Sequence, residues 1–123
     1  MKLAIGLEEN NYNSKIDKRF GRASYFLIID SETKEYEIIE NDAKEEVTGA
    51  GIKVVKKLAQ LGVEGIIIAG EIGPKAETLI KEFDIPVYKV ENPTTVENLL
   101  EEYSQNNLKK YNFSSENSGL RMA

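Results

Sequence analysis

The spacing of the apolar residues changes near residue 48, and this change restricts the chain to a mixed α/β fold. Before it, three short runs of aliphatic and aromatic residues predict strands at 2–7, 24–30 and 36–41. After it, apolar residues at helical spacing alternate with two β-branched runs at 64–70 and 85–90. The predicted order is β-β-β-α-β-α-β-α, with about three helices.

The connections between these strands predict the order of the sheet. The first three strands follow one another without a helix, which favours an antiparallel meander. The helices after the third and fourth strands are crossovers, which require parallel pairing. We therefore expect a mixed five-stranded sheet of order 3-2-1-4-5 with strand 2 antiparallel to the rest. Residues 1–104 should form one domain and residues 105–123 a flexible tail, because that last segment has few apolar residues and no periodicity.

Two residue types are missing, and their absence limits the possible chemistry. The 123 residues include no cysteine and no histidine. Metal ligation through thiolate or imidazole is therefore excluded, as are mechanisms of the Ser-His-Asp and Cys-His types. The net charge of −5 argues against nucleic acid as a partner. No apolar run approaches the roughly 20 residues of a membrane span, and no signal peptide is recognisable, so we expect a cytoplasmic protein without membrane contact.

Against this acidic background, the loop after the first strand is positively charged. It contains Lys15, Lys18, Arg19 and Arg22. In the predicted topology, strands 1, 3 and 4 end at the same edge of the sheet, and the chain leaves strands 1 and 4 in opposite directions. Such a switch point is where open α/β sheets tend to bind ligands.

Two glycine-containing helix starts are predicted at the same edge. The sequence TGAG at 48–51 opens the first helix, and Gly70 and Gly73 precede the second. Backbone N–H groups at helix N-termini attract anions. The predicted anion site consists of Arg19, Phe20, Gly21, Arg22, Thr48, Gly49, Ala50, Gly51, Gly70 and Gly73.

The same residues also allow a structural interpretation. The glycines could serve tight turns or close packing, and an arginine could pair with a nearby acid. Phe20 could be a core anchor instead of a ring that contacts a ligand. The sequence alone leaves both interpretations open.

Two stretches of the chain resemble the dinitrogenase iron-molybdenum cofactor biosynthesis family, which includes NifX-like proteins and the C-terminal domain of NifB-like proteins. They are SKIDKRFGRASYFLIID at 14–30 and the segment 48–90, and the resemblance extends over roughly residues 1–104. It is most specific in RFGRA-YF at 19–26 and in the Gly-Pro-Ala pattern that follows IIIAG. The resemblance implies a ribonuclease-H-like three-layer fold. It also implies binding of an iron-molybdenum cofactor or another metal-sulfur cluster, which this chain would hold without Cys or His ligands.

Three functions are compatible with these observations. The first is a noncatalytic carrier of an anionic metal-sulfur cluster, a monomer or weak homodimer with a cluster-assembly protein as a partner. The second is a regulatory or interaction module that binds a small anion or a partner protein. The third is a divalent-metal nuclease, for which Glu8 and Glu71 lie at strand ends but the first strand lacks a central acid. We expect the first, with no catalytic residue and no metal ligand.

Overall fold

The computed structural model of the chain describes residues 1–91 and 95–113. The strands are β1 (Lys2–Leu7), β2 (Tyr25–Asp30), β3 (Tyr36–Glu40), β4 (Gly65–Ile68), β5 (Val87–Lys89) and β6 (Lys109–Lys110). The helices are α1 (Ala50–Gln60), α2 (Pro74–Glu82) and α3 (Val96–Ser104). The mixed α/β class and the three helices are confirmed. In the described part of the chain, no helix has the length and apolar character that crossing a membrane would require.

The strands form one sheet in the order β3-β2-β1-β4-β5-β6. Strand β2 is antiparallel to both of its neighbours, and β1, β4 and β5 are parallel to one another. The order of the first five strands therefore agrees with the prediction, and so does the direction of strand 2. The predicted number of five strands is wrong, because β6 adds to β5 in an antiparallel direction.

The sixth strand lies in the segment that was predicted to be a flexible tail. Its two residues are exposed lysines, and so short a segment shows no periodicity. The next residue, Tyr111, is only 7% exposed, and its backbone N–H donates to the carbonyl of Val87 at 2.8 Å. Residues 109–111 therefore pack against the edge of the sheet. The division into a domain at 1–104 and a flexible tail at 105–123 stays a prediction, and the last part of that tail, 114–123, lies outside the described residues.

Helices α1 and α2 cover one face of the sheet and α3 covers the other, which gives three layers. Strand β1 shows why both faces are apolar, because its side chains alternate: Ala4 packs under α1 and α2, whereas Leu3 and Ile5 pack under α3. Both crossovers run in the same direction along the sheet, so right-handed connections place α1 and α2 on the same face. The ribonuclease-H-like description of this arrangement stays a prediction.

Candidate functional site

Three segments that are distant in sequence line one open cavity of about 650 Å³. They are the loop after β1, the start of α1 and the start of α2, and they meet beyond the carboxyl ends of β1 and β4. Eight of the ten predicted residues line this cavity: Arg19, Phe20, Gly21, Arg22, Gly49, Ala50, Gly51 and Gly73. The structure thus brings the predicted segments together, and their binding of an anion stays a prediction.

The N-termini of α1 and α2 lie against each other with almost no side chain between them. A methyl group on Gly51 would lie 3.0 Å from the Cβ of Ala76, and one on Gly21 would lie 2.8 Å from the backbone nitrogen of Gly51. These glycines therefore allow the loop and the two helix starts to approach closely. Such packing aims the positive ends of two helix dipoles at one cavity.

Glycine is the N-cap residue of both helices, Gly49 before α1 and Gly73 before α2, so neither cap has a side chain that could accept a hydrogen bond from the first turn. The first intrahelical hydrogen bonds run from Lys53 N to Gly49 O and from Glu77 N to Gly73 O. The N–H groups of residues 50–52 and 75–76 therefore have no acceptor within their own helices. Gly49 has a φ of 76°, a conformation that glycine adopts without strain.

Thr48 and Gly70 do not line the cavity. Thr48 is exposed on the preceding loop. Gly70 packs against the loop after β1, and a methyl group there would lie 2.1 Å from the carbonyl oxygen of Lys18. Gly70 is therefore needed for close packing beneath the cavity.

Phe20 belongs mainly to the core. Its side chain is 6% exposed and packs edge-to-face on Phe26, with the ring centroids 5.8 Å apart. It is also one of the residues that line the cavity. Phe20 therefore anchors the basic loop to the sheet.

Arg19 is paired with a buried acid inside its own loop. Its Nε and NH2 groups donate to Oδ1 and Oδ2 of Asp17 at 3.1 and 3.0 Å, and its backbone N–H donates to Oδ1 at 2.9 Å. Burial alone would raise the pKa of Asp17, but these hydrogen bonds outweigh it, so the pKa is lowered. The charge of Arg19 is thus largely compensated before any ligand arrives.

This pairing predicts a pH-dependent effect of Asp17→Asn. We expect the substitution to lower the free energy of unfolding by about 1–2 kcal/mol at neutral pH, because it removes charged hydrogen-bond acceptors. The folded pKa lies below the unfolded value, so the carboxylate contributes fully above about pH 5 and loses its contribution as the pH falls through the folded pKa. Urea unfolding between about pH 3 and pH 7 should show the difference shrinking below about pH 4. The exposed Asp42→Asn is the control, and a difference that persists unchanged to the lowest pH would contradict the assignment.

Arg22 links the loop after β1 to the loop before α1 through hydrogen bonds. Its NH1 and NH2 groups donate to the carbonyl oxygens of Lys44 and Val47 at 2.9 and 3.3 Å. It forms no ion pair with any residue in 1–91 or 95–113. Arg22 therefore keeps its positive charge and has further N–H donors to offer at the cavity.

Lys75 is a cation of the cavity that the sequence interpretation missed. It lies in the first turn of α2, where a positive charge opposes the helix dipole. That unfavourable placement is the signal that could have pointed to it. Lys75 and Lys18 are both exposed, both line the cavity, and neither forms an ion pair within the described part of the chain.

One carboxylate, Glu71, also lines the cavity. Its Oε1 is 2.7 Å from Nζ of Lys89, and the hydrogen bond from this lysine lowers the pKa of Glu71. Among the residues that the structure describes, no three acidic side chains form a group that could hold a metal ion.

A second residue that the sequence interpretation missed is the buried Asn41. Its amide nitrogen donates to the carbonyl oxygens of Gly21 and Ala23 at 3.0 and 2.8 Å. Its Oδ1 accepts from the N–H of Ala43 at 2.9 Å. Asn41 therefore holds Gly21 in place against the start of α1.

Comparisons with known proteins agree with this architecture. The family model described as "Dinitrogenase iron-molybdenum cofactor" matches residues 1–106. An uncharacterised protein of Methanocaldococcus jannaschii is 33% identical over 114 residues, which cover 90% of this chain and 92% of that protein.

Two solved structures are similar over most of their length. The apo form of the orange protein from Desulfovibrio gigas has a TM-score of 0.83 and 25% identity, covering 89% of this chain and 92% of that one. A putative NifB protein from Thermotoga has a TM-score of 0.76 and 31% identity, covering 89% of this chain and 91% of that one. The chain therefore belongs to the dinitrogenase iron-molybdenum cofactor family.

Proposed function

We propose that this protein is a noncatalytic carrier that holds an anionic metal-sulfur cluster in the cavity described above. The observation that carries the proposal is the meeting of two helix N-termini, neither capped by a side chain, at one cavity rimmed by cations. Membership of the family supports a cofactor as the ligand. The orange protein structure is an apo form, which implies a bound state of that relative.

The charges around the cavity favour an anion. Four cationic side chains and one carboxylate line it, and one of the cations, Arg19, is already compensated by Asp17. Each helix N-terminus adds a favourable interaction of about 0.3–1 kcal/mol with a nearby negative charge. A cluster with sulfides or an organic acid at its surface offers acceptors for the N–H groups of both helix starts.

The residues present fit capture by charge and hydrogen bonds. With no cysteine or histidine in the chain, neither a thiolate nor an imidazole can bond to the metal. Release of the cluster would then break no metal–thiolate and no metal–imidazole bond. This suits a carrier, which must give up its cluster. A cytoplasmic location and transfer to a cluster-assembly protein are part of the proposal.

The proposal predicts where a soluble metal-sulfide anion binds. Under anaerobic conditions, tetrathiomolybdate should shift the amide NMR signals of residues 18–22, 49–52 and 71–76. Lys75→Ala should weaken its binding about three- to fivefold and reduce the salt dependence, because an exposed charge contributes at most about 1 kcal/mol. Arg19→Ala should change the affinity less, because the charge of Arg19 is already compensated.

Lys56→Ala is the matched control, because Lys56 is exposed on α1 but does not line the cavity. Equal shifts with sulfate and phosphate would count against a metal-sulfur ligand and favour a general anion site. Shifts confined to other segments would contradict the proposed site.

A further inference from the structure

The hydroxyl of Tyr111 contacts three residues of the segment 71–77, of which Glu71 lines the cavity. It donates to Oε2 of Glu77 at 2.7 Å and to Oε2 of Glu71 at 3.1 Å, so its single proton is shared between two carboxylates. It also accepts from the backbone N–H of Ile72 at 3.3 Å. Burial and the hydrogen bond to Glu77 raise the pKa of Tyr111, so the phenol keeps its proton at neutral pH.

The two glutamates lie on either side of the segment that contains the start of α2. Glu71 lines the cavity and Glu77 lies fully buried in the first turn of α2. The segment 73–76 between them lines the cavity throughout. Tyr111 itself does not line it. The phenol therefore acts on both ends of the wall without touching the space where a ligand would bind.

Tyr111 reaches this position through a short C-terminal segment. Strand β6 pairs with β5 over only two residues, and the Tyr111 ring stacks edge-to-face on Phe113 with centroids 5.1 Å apart. Lys89, which pairs with Lys109 across β5 and β6, also binds Glu71 through its ammonium group. Pairing over so few residues makes β6 a candidate for local opening that leaves the rest of the sheet intact.

We propose that Tyr111 is a positioning residue that couples the docking of residues 109–113 to the binding of an anion in the cavity. Opening of this segment removes the contacts of the Tyr111 hydroxyl with Glu71, Glu77 and the N–H of Ile72, so the cavity wall samples other conformations. The apparent affinity then falls with the fraction of molecules that keep the binding-competent wall. Because coupling is reciprocal, a bound anion must also stabilise the docked segment. This inference rests on the proposed function.

The first test uses the unaltered protein and hydrogen exchange followed by NMR. Tetrathiomolybdate should slow the exchange of the Tyr111 amide, which donates to Val87 and lies outside the cavity. If Tyr111 only stabilised the fold, the ligand would slow the exchange of its amide no more than it slows exchange in the rest of the sheet. The amide of Leu27 in β2 provides this reference.

The second test is Tyr111→Phe, which keeps the ring and removes the hydroxyl. We expect the variant to bind tetrathiomolybdate about three- to tenfold more weakly, which is the effect that losing the net contribution of one hydrogen bond would have. We also expect the amide hydrogen of Ile72 to exchange faster. Tyr103→Phe is the matched control, because Tyr103 lies on α3, on the opposite face of the sheet, where its hydroxyl contacts Met1 Sδ and its ring packs edge-to-face on Tyr88. This control should leave the affinity unchanged.

Failure of this inference can be told apart from failure of the proposed function. If tetrathiomolybdate binds the cavity with equal affinity in wild type and Tyr111→Phe, and Tyr111 exchange does not respond, only the coupling is overturned. If the wild-type protein does not bind tetrathiomolybdate in the cavity, the proposed function is contradicted and the coupling falls with it.

Discussion

Gly70→Ala is expected to lower the free energy of unfolding by about 3 kcal/mol or more, which is at the upper end for a single added methyl group. The methyl would lie 2.1 Å from the carbonyl oxygen of Lys18 and 3.1 Å from its carbonyl carbon, so backbone must move to accommodate it. That movement would displace the basic loop from the end of β4. Urea unfolding measures the loss, and NMR shifts in residues 15–22 locate the displacement.

Gly73→Ala is the matched control, three residues away in the same loop. A methyl at Gly73 meets no atom within 4 Å, and its φ of −65° and ψ of 156° suit any residue. We expect its free energy of unfolding to stay within about 0.5 kcal/mol of the wild type. Similar stability of the two variants would show that the loop after β1 does not pack on Gly70 as described.

Asn41→Ala is expected to lower the free energy of unfolding by about 2–4 kcal/mol, because it removes three hydrogen bonds at a buried position. The carbonyl groups of Gly21 and Ala23 and the N–H of Ala43 lose this partner. Gly21 lies against the start of α1, so the affinity for tetrathiomolybdate should also fall under conditions where the variant is still folded. Urea unfolding and the anaerobic NMR titration measure the two effects.

Asn41→Asp separates the role of the amide from that of side-chain volume. At neutral pH its carboxylate would face two carbonyl oxygens, so we expect a loss at least as large as that of the alanine variant. Asn107→Ala is the control, because its side chain is exposed and donates only to the side chain of Gln105 among the described residues. A small effect of both Asn41 substitutions would remove this residue from its role in holding Gly21.

Much of the fold could be predicted because the signals are local. Runs of β-branched and aromatic residues and the helical spacing of Val55 and Leu58 reflect which side chains face the core. Strand β6 gave no such signal, because its partners are only Tyr88 and Lys89 across the sheet edge. Ile52 is apolar and lies three residues before the buried Val55, yet it is half-exposed at the cavity, whereas Val54 is buried.

The location of the candidate site in the fold could be predicted, but the contacts of its side chains could not. Chain connectivity brings the basic loop and both helix starts to one edge of the sheet, and this depends only on the order of the strands. Which cation keeps its charge depends on side-chain partners. Arg19 is compensated by Asp17 two residues earlier, whereas Lys75 has no ion pair with any described residue.

By itself, the sequence determined the mixed sheet, the edge at which the candidate site lies, and the exclusion of thiolate and imidazole as metal ligands, because these follow from periodicity, chain order and composition. The tertiary structure decided the roles of individual residues. Gly70 lies beneath the cavity, Asn41 holds the basic loop, and Tyr111 reaches the far wall from the C-terminal segment. Those roles depend on distances between segments that are 18 to 52 residues apart in the chain, such as Asn41 with Ala23 and Gly70 with Lys18. No local pattern encodes such distances, because they are set by how the packed layers bring the backbone together.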